Sequence, residues 1–252
     1  THCISSAASD VYKRQAFTLA LTLADTDPDW LRDYARGLSQ MARQCGLTLI
    51  GGDTTRGPLS LTMTVFGHVP VGQALTRGGA QAGDLLCVGG ELGNAAGALP
   101  LVLGQREADA TLAAPLLSHF WSPPPQIALG QALRGKATAA LDISDGLLAD
   151  CGHIARASSV ALCVELERLP LGAALTGLLG LDGARNAALS GGDDYVIAFT
   201  LPPAELAGLQ ADGWPVHVVG RVEAGSGVSL HDAQGRDITP AVRGYQHFRE
   251  TP

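Results

Sequence analysis

An α/β fold is what this sequence predicts, and three observations predict it. Hydrophobic residues make up 46% of the 252-residue chain and charged residues only 16%, with 32 glycines and few aromatics, a balance that suits a compact core rather than disorder. Stretches with the two-residue alternation of strands take turns with stretches of helical spacing. Three short acidic segments stand at the ends of apolar runs: Ile50-Gly51-Gly52-Asp53-Thr54-Thr55-Arg56-Gly57-Pro58, Asp142-Ile143-Ser144-Asp145-Gly146 and Gly191-Gly192-Asp193-Asp194-Tyr195. Length alone allows one large domain or two of ordinary size.

Residues 1–15 are polar and serine-rich without an apolar centre, so they are no secretory signal; they are expected to be an unrelated or disordered leader on a chain whose native start is lost. Residues 17–23 then alternate as a strand with one buried face. Over 30–45, Leu31, Tyr34, Leu38, Met41, Ala42 and Cys45 share one helical face, and Gly46 supplies the stop. Residues 47–50 read as a strand entering a Gly51-Gly52-Asp53 loop and 59–69 as the next strand, so a strand-loop-strand unit carries the first acidic segment. The Pro- and Gly-bearing stretch 70–83, which contains Arg77, marks a boundary between a part at 16–72 and a part at 73–252.

Beyond the boundary a strand at 84–88 leads through Gly89-Gly90-Glu91-Leu92-Gly93-Asn94 into a Gly/Ala-rich helix. That turn lacks the Lys-Ser/Thr of a P-loop and the spacing of a dinucleotide fingerprint, so it reads as a tight strand-to-helix connection. Helices near 108–119 and 127–133 flank Pro123-Pro124-Pro125, and a strand follows at 138–143. Leu147, Leu148, Cys151 and Ile154 have helical spacing over 145–158, which sets Asp142 to Gly146 at a strand-to-helix junction. Strands at 160–166, 195–201 and 216–222 alternate with helices at 171–179 and 203–211.

A formal charge of -7 without a basic stripe argues against nucleic acid as a main partner, and no apolar run approaches the ~20 residues of a membrane span. The five cysteines are odd in number, scattered and free of any C-x-x-C pair, which points to a reducing cytoplasm; Cys45, Cys87 and Cys163 sit in apolar stretches and read as core side chains rather than zinc ligands. Glycine leaves backbone N–H groups open to phosphate oxygens, and aspartate offers the hard oxygens that a partly hydrated Mg²⁺ takes. Together the acidic segments suggest a metal-nucleotide site. Ser144 and Asp145 have a second reading as caps of the helix behind them, and Arg77 as a solvated loop charge; His153 gets no role.

The order and spacing of Gly51 to Pro58, Leu75 to Asp84, Asp142 to Asp150, Ser190 to Tyr195 and the closing Gly244-Tyr245-Gln246-His247-Phe248 resemble the thiamine-monophosphate kinases, relatives of aminoimidazole ribonucleotide synthetase and selenophosphate synthetase. The resemblance runs from about residue 17 to 248. It implies a ferredoxin-like N-terminal α/β domain, truncated here, that dimerises through its sheet, followed by a larger α/β C-terminal domain. It also implies a phosphotransferase that moves the γ-phosphoryl group of ATP directly onto thiamine monophosphate with several Mg²⁺ ions. By position, Gly52, Asp53, Arg77 and Ser144 would contact ATP, Asp53, Asp142 and Asp145 would ligate Mg²⁺, and Asp193 and Phe248 would lie on the substrate side, with no acid/base residue. The family usually has Glu where Asp193 stands and Tyr where Ala35 aligns, and its start carries further metal-binding aspartates and a substrate-contacting His. Another ATP-using synthetase of the superfamily, or a fragment that folds or dimerises without turnover, are the alternative readings.

Overall fold

A computed structural model describes residues 14–241 and Gly244. It divides between Ala74 and Leu75 into two compact units, each with its own sheet. The class is the mixed α/β one that the alternating pattern implies. The leader expected at 1–15 falls largely outside the described residues, as does Phe248.

In the first unit β1 (Arg14–Leu23) is the central strand, parallel to β2 (Thr48–Arg56) and antiparallel to β3 (Ser60–Gly67). Phe17, Leu21 and Leu23 are buried, the odd-numbered face that alternation predicts. Two parallel neighbours cannot be joined by a tight turn, so the chain crosses over through α1 (Pro28–Gln44). Asp27 starts that helix by accepting the N–H groups of Asp29 and Trp30, Pro28 sits in its first turn, and Arg43 complements its C-terminal end. Its six face residues from Leu31 to Cys45 are half-buried and its other positions exposed, as the helical period predicts. Cys45 thus borders the core rather than joining it.

The first acidic segment departs from expectation. Gly51, Gly52 and Asp53 do not form a loop: β2 runs through them to Arg56, paired residue by residue with β1. Ile50 is an extra residue in the ladder, between the Phe17–Leu49 and Thr18–Gly51 pairs. Gly52, with φ +153°, stands so close to β1 that a Cβ would lie 1.9 Å from the Leu19 carbonyl oxygen. The glycines that read as loop punctuation are here the condition for close strand pairing.

The second unit holds a six-stranded sheet in the order β5-β7-β4-β8-β6-β9, antiparallel throughout except for the β6–β9 pair. Its strands are β4 (Leu85–Val88), β5 (Ala139–Asp142), β6 (Ala161–Glu165), β7 (Ile197–Leu201), β8 (His217–Glu223) and β9 (Gly227–His231). The helices are α2 (Asn94–Val102), α3 (Ala110–Trp121), α4 (Ile127–Leu133), α5 (Leu147–Ser158), α6 (Ala173–Ser190) and α7 (Pro203–Ala211). β5 and β7 are buried at every position, which is why they read as continuous apolar runs. Ala98 of α2, Leu116 of α3 and Leu175, Leu178 and Ala184 of α6 form a helical core cluster.

Two features escaped the pattern. The helix expected at 171–179 continues to Ser190 across a kink at Gly180, whose φ of 70° interrupts the helical period there. β9 has only Val228 and Leu230 facing inward over five residues, too little alternation to register between the glycines that precede it.

Candidate functional site

β5 ends at Asp142, and the chain passes through Ile143, Ser144, Asp145 and Gly146 into α5. The Gly191–Tyr195 segment answers it from the neighbouring strand: the Ile143 N–H bonds the Val196 carbonyl, the Tyr195 N–H the Ile143 carbonyl and the Asp193 N–H the Ser144 carbonyl, all at 2.8–2.9 Å. The β5–β7 ladder is thereby carried past the strand ends into two irregular loops. Glycine is required where they touch. A Cβ on Gly192 would lie 2.3 Å from the Ser144 carbonyl oxygen, and one on Gly146, at φ +114°, 2.8 Å from the Ser190 backbone.

Three candidate residues, Asp142, Ser144 and Asp145, therefore sit on one short junction, with Asp193 hydrogen-bonded to it through its backbone. Asp142 is buried, Ser144 and Asp145 are half-buried and Asp193 is exposed. The capping alternative for Ser144 and Asp145 is not realised: α5 is capped at Gly146 with no side-chain bond. Asp193 and Tyr195 both hold positive φ, 65° and 51°, which is strained for residues with a Cβ, and the Tyr195 hydroxyl donates to Asp193 Oδ1 at 2.9 Å. Gly244 of the closing segment also touches the junction, since a Cβ there would lie 2.6 Å from the Asp145 carbonyl oxygen.

Two buried carboxylates that carried no role in the sequence hold this architecture. Asp150, 4% exposed, turns back from α5 so that its Oδ2 accepts the N–H groups of both Ser144 and Asp145 at 2.9 Å. Burial pushes its carboxyl above the usual range, against the pull of those two N–H groups. Asp194, 1% exposed, caps α2 from a distant part of the chain: its Oδ2 accepts from Gly93 at 2.6 Å and its Oδ1 from Ala95 at 3.3 Å. Burial outweighs those N–H groups and lifts its carboxyl to about 7. The Asp194 carbonyl meets His119 Nε2 at 3.0 Å, and desolvation lowers that imidazole below its ordinary pKa.

The Gly89-to-Asn94 turn is indeed a tight strand-to-helix connection, with Gly93 at φ +84° against the Ala188 backbone. It borders an open cavity of about 410 Å³ lined by Glu91, Asn94, His119, Gln126 and Trp214. Arg77 is exposed on the loop beside β5, which is tied down by the Ala140 N–H bonding the Thr76 carbonyl at 2.9 Å.

Gly52 and Asp53 belong to the first unit, where Asp53 is exposed and its Oδ1 accepts the Thr54 N–H at 2.8 Å. Among the described residues no three His, Cys, Asp or Glu side chains converge to hold a metal by themselves. The donor chemistry nevertheless fits Mg²⁺, which keeps much of its water and binds through one or two carboxylates plus substrate phosphates. Cys45, Cys87, Cys151 and Cys163 form no disulfide among the described residues, and burial pushes Cys87 up to about 12, so it is inert. His153 Nδ1 lies 3.0 Å from the Arg156 guanidinium, one turn along α5.

Comparison with known proteins places these features in a family. Residues 2–69 match AIR synthase related protein, N-terminal domain, and residues 81–233 match AIR synthase related protein, C-terminal domain. Thiamine-monophosphate kinase of Escherichia coli K12 is 40% identical over 236 residues, 92% of this chain and 73% of that protein. The crystal structure of thiamine-monophosphate kinase from Stenotrophomonas maltophilia K279a superposes with a TM-score of 0.83 at 41% identity, covering 89% of this chain and 74% of that one. AaThiL complexed with AMPPCP and TMP superposes with a TM-score of 0.82 at 26% identity, over 95% and 76% of the respective chains.

Proposed function

The chain belongs to the thiamine-monophosphate kinases of the AIR synthase related family, and on that footing we propose that it transfers the γ-phosphoryl group of ATP to the phosphate of thiamine monophosphate, giving thiamine diphosphate and ADP. The observation that carries the proposal is the Asp142-to-Asp145 junction, three candidate ligand residues braced by backbone bonds to the Gly191–Tyr195 loop. A phosphate oxygen of the acceptor attacks the γ-phosphorus, a P–O bond forms there, and the bond to the β-bridging oxygen breaks. The acceptor phosphate is largely ionised at neutral pH, so the step needs no general base and no phosphoenzyme.

In this reading Asp53, Asp142 and Asp145 hold Mg²⁺, which when bound neutralises phosphate charge. Gly52 and Ser144 contact ATP, Arg77 offers its planar fork to the nucleotide phosphates, and Asp193 and Phe248 contact the thiamine side. Asp193 is one methylene shorter than the Glu usual in the family, and the strained backbone that presents it and the Tyr195 hydroxyl fix its direction instead. The sheet of the first unit exposes Leu49, Ile50, Met63 and Phe66, which supports a homodimer formed through this unit. Cysteines that form no disulfide among the described residues support a reducing, cytoplasmic setting. No helix among the described residues is long and apolar enough to cross a membrane.

The test is chromatographic detection of thiamine diphosphate from thiamine monophosphate, ATP and Mg²⁺, with Asp142→Asn as control. Product that disappears in the variant supports the kinase; no product from the wild-type chain together with no binding of either substrate rejects it. Size-exclusion chromatography with light scattering checks the dimer.

A further inference from the structure

We propose that α5 is a strut that positions both halves of the phosphate site, with Asp150 near its start holding the ion-binding junction and Ser158 at its end holding the Arg77 loop. The proposal rests on the kinase reading above and adds two positioning residues to it.

Asp150 is a helical residue whose carboxylate serves amides outside its helix. A carboxylate that merely stabilised α5 would accept N–H groups of the first turn. The Asp150 oxygen instead takes the N–H groups of Ser144 and Asp145, both ahead of the helix, while its own N–H bonds the Gly146 carbonyl at 3.0 Å. With two amides drawn onto one buried oxygen, the turn that carries Asp142, Ser144 and Asp145 is fixed before any ligand arrives. Groups that orient ligands in this way commonly matter to metal affinity almost as much as the ligands do.

Ser158 does the same at the other end, roughly 12 Å along the axis at about 1.5 Å per residue. A serine in a last helical turn ordinarily bonds its own preceding carbonyl. The Ser158 hydroxyl accepts the N–H groups of Gly79 and Ala80 at 3.1 Å and donates to the Arg77 carbonyl at 3.2 Å. The loop lies hard against its supports: a Cβ on Gly79, at φ +127°, would fall 2.4 Å from the Thr138 carbonyl oxygen, and one on Gly78 3.1 Å from that of Ala157. One hydroxyl thus fastens the backbone on both sides of Gly78 and sets the root from which the exposed Arg77 side chain extends.

The two contacts predict a split in ligand dependence that general loss of packing would not produce. With the full chain, isothermal titration calorimetry measures Mg²⁺ affinity in the presence of AMPPCP, and AMPPCP affinity at saturating Mg²⁺. Asp150→Ala is expected to weaken Mg²⁺ by about 10- to 100-fold and AMPPCP at saturating Mg²⁺ by no more than about 5-fold, the share that falls to Ser144 on the same turn. Ser158→Ala is expected to weaken AMPPCP about 5-fold and leave Mg²⁺ within about 2-fold, as befits loss of one hydroxyl's bonds. Asp150→Asn and Ser158→Thr, which keep an acceptor or the hydroxyl, should recover most of each loss. Hydrogen exchange in the ligand-free chain should quicken at residues 144–145 in the first variant and 79–80 in the second. If Asp150→Ala does not fold, Asp150→Ser, whose hydroxyl is too short to reach the amides, takes its place. Variants that weaken both ligands alike, weaken neither, or are not rescued overturn the strut while leaving the kinase reading intact. A wild-type chain that binds neither Mg²⁺ nor AMPPCP overturns the kinase reading, and the strut with it.

Discussion

The two units solve the same problem in opposite ways. In the first, Gly52 and Asp53 lie on an exposed strand, and their position comes from a regular ladder with β1 tight enough that Gly52 has no room for a Cβ against Leu19. In the second, Asp142 and Asp145 lie where regular structure has just ended, and their position comes from crossed loop bonds and a buried carboxylate, Asp150. Glycine-aspartate composition therefore announces the ligand chemistry of a segment and says nothing of what holds it. A ladder fails locally when one backbone pairing is disturbed, whereas a junction braced from several sides fails through the groups that do the bracing.

The largest expected effect tests the junction. Asp142→Asn keeps the size of the side chain and removes its charge, so thiamine diphosphate formation should fall by at least about 100-fold. Asp53→Asn, on an exposed strand where charge is screened, should cost about 10-fold. Equal losses from the two would erase the contrast between a buried ligand and an exposed one.

The ladder is tested by Gly52→Ala against Gly51→Ala. A Cβ at 52 meets backbone at 1.9 Å and needs an unfavourable φ, whereas at 51 nothing lies within 4 Å. Urea unfolding should show a loss of about 2–4 kcal/mol for the first and less than about 1 kcal/mol for the second. A mild Gly52→Ala would mean that β2 does not pair as closely as described.

These contrasts also show what was legible in the sequence. Period and punctuation gave the helical face from Leu31 to Cys45, the buried face of β1 and the strand-to-helix junction at Asp142, because each is a local pattern. The continuation of β2 through Gly51 and Gly52 was hidden: pairing with a strand about 33 residues earlier overrode the local preference of glycine for loops, as the Leu19–Gly52 partnership illustrates. Asp150 and Asp194 stood in view beside named candidates, yet their roles depend on amides that only the fold brings to them, Gly93 lying 101 residues from Asp194. Roles made by long-range contact leave no spacing to read.

A smaller effect follows from Asp194. Its carboxyl is raised from 3.8 to about 7 because burial disfavours the charged form more than the α2 amides favour it. The folded state therefore holds a proton that the unfolded chain has released between about pH 4 and pH 7, and stability from this group is complete below about pH 4 and lost as the pH rises through about 7. Asp194→Asn cannot titrate. The advantage of wild type over the variant, measured by urea unfolding, should shrink between pH 5 and pH 8; an advantage that grows would show that the helix amides win and that Asp194 is held charged.

The smallest effect sharpens the view of the junction as a set of braced parts. Asp193 is exposed, so packing does not aim its carboxylate; the Tyr195 hydroxyl does, from two residues away across a backbone where both residues have positive φ. Such strain persists only where surrounding structure imposes it, here the bonds from the Asp193 and Tyr195 amides to the Ser144 and Ile143 carbonyls. Tyr195→Phe leaves those bonds in place and removes only the hydroxyl. Stability should change by less than about 1 kcal/mol, the ordinary net worth of an exposed hydrogen bond. If Asp193 meets the thiamine side, KM for thiamine monophosphate should rise about 3-fold with KM for ATP unchanged. A rise in both would mean that the hydroxyl supports the whole junction, and no change in either would mean that the strained backbone alone directs the carboxylate.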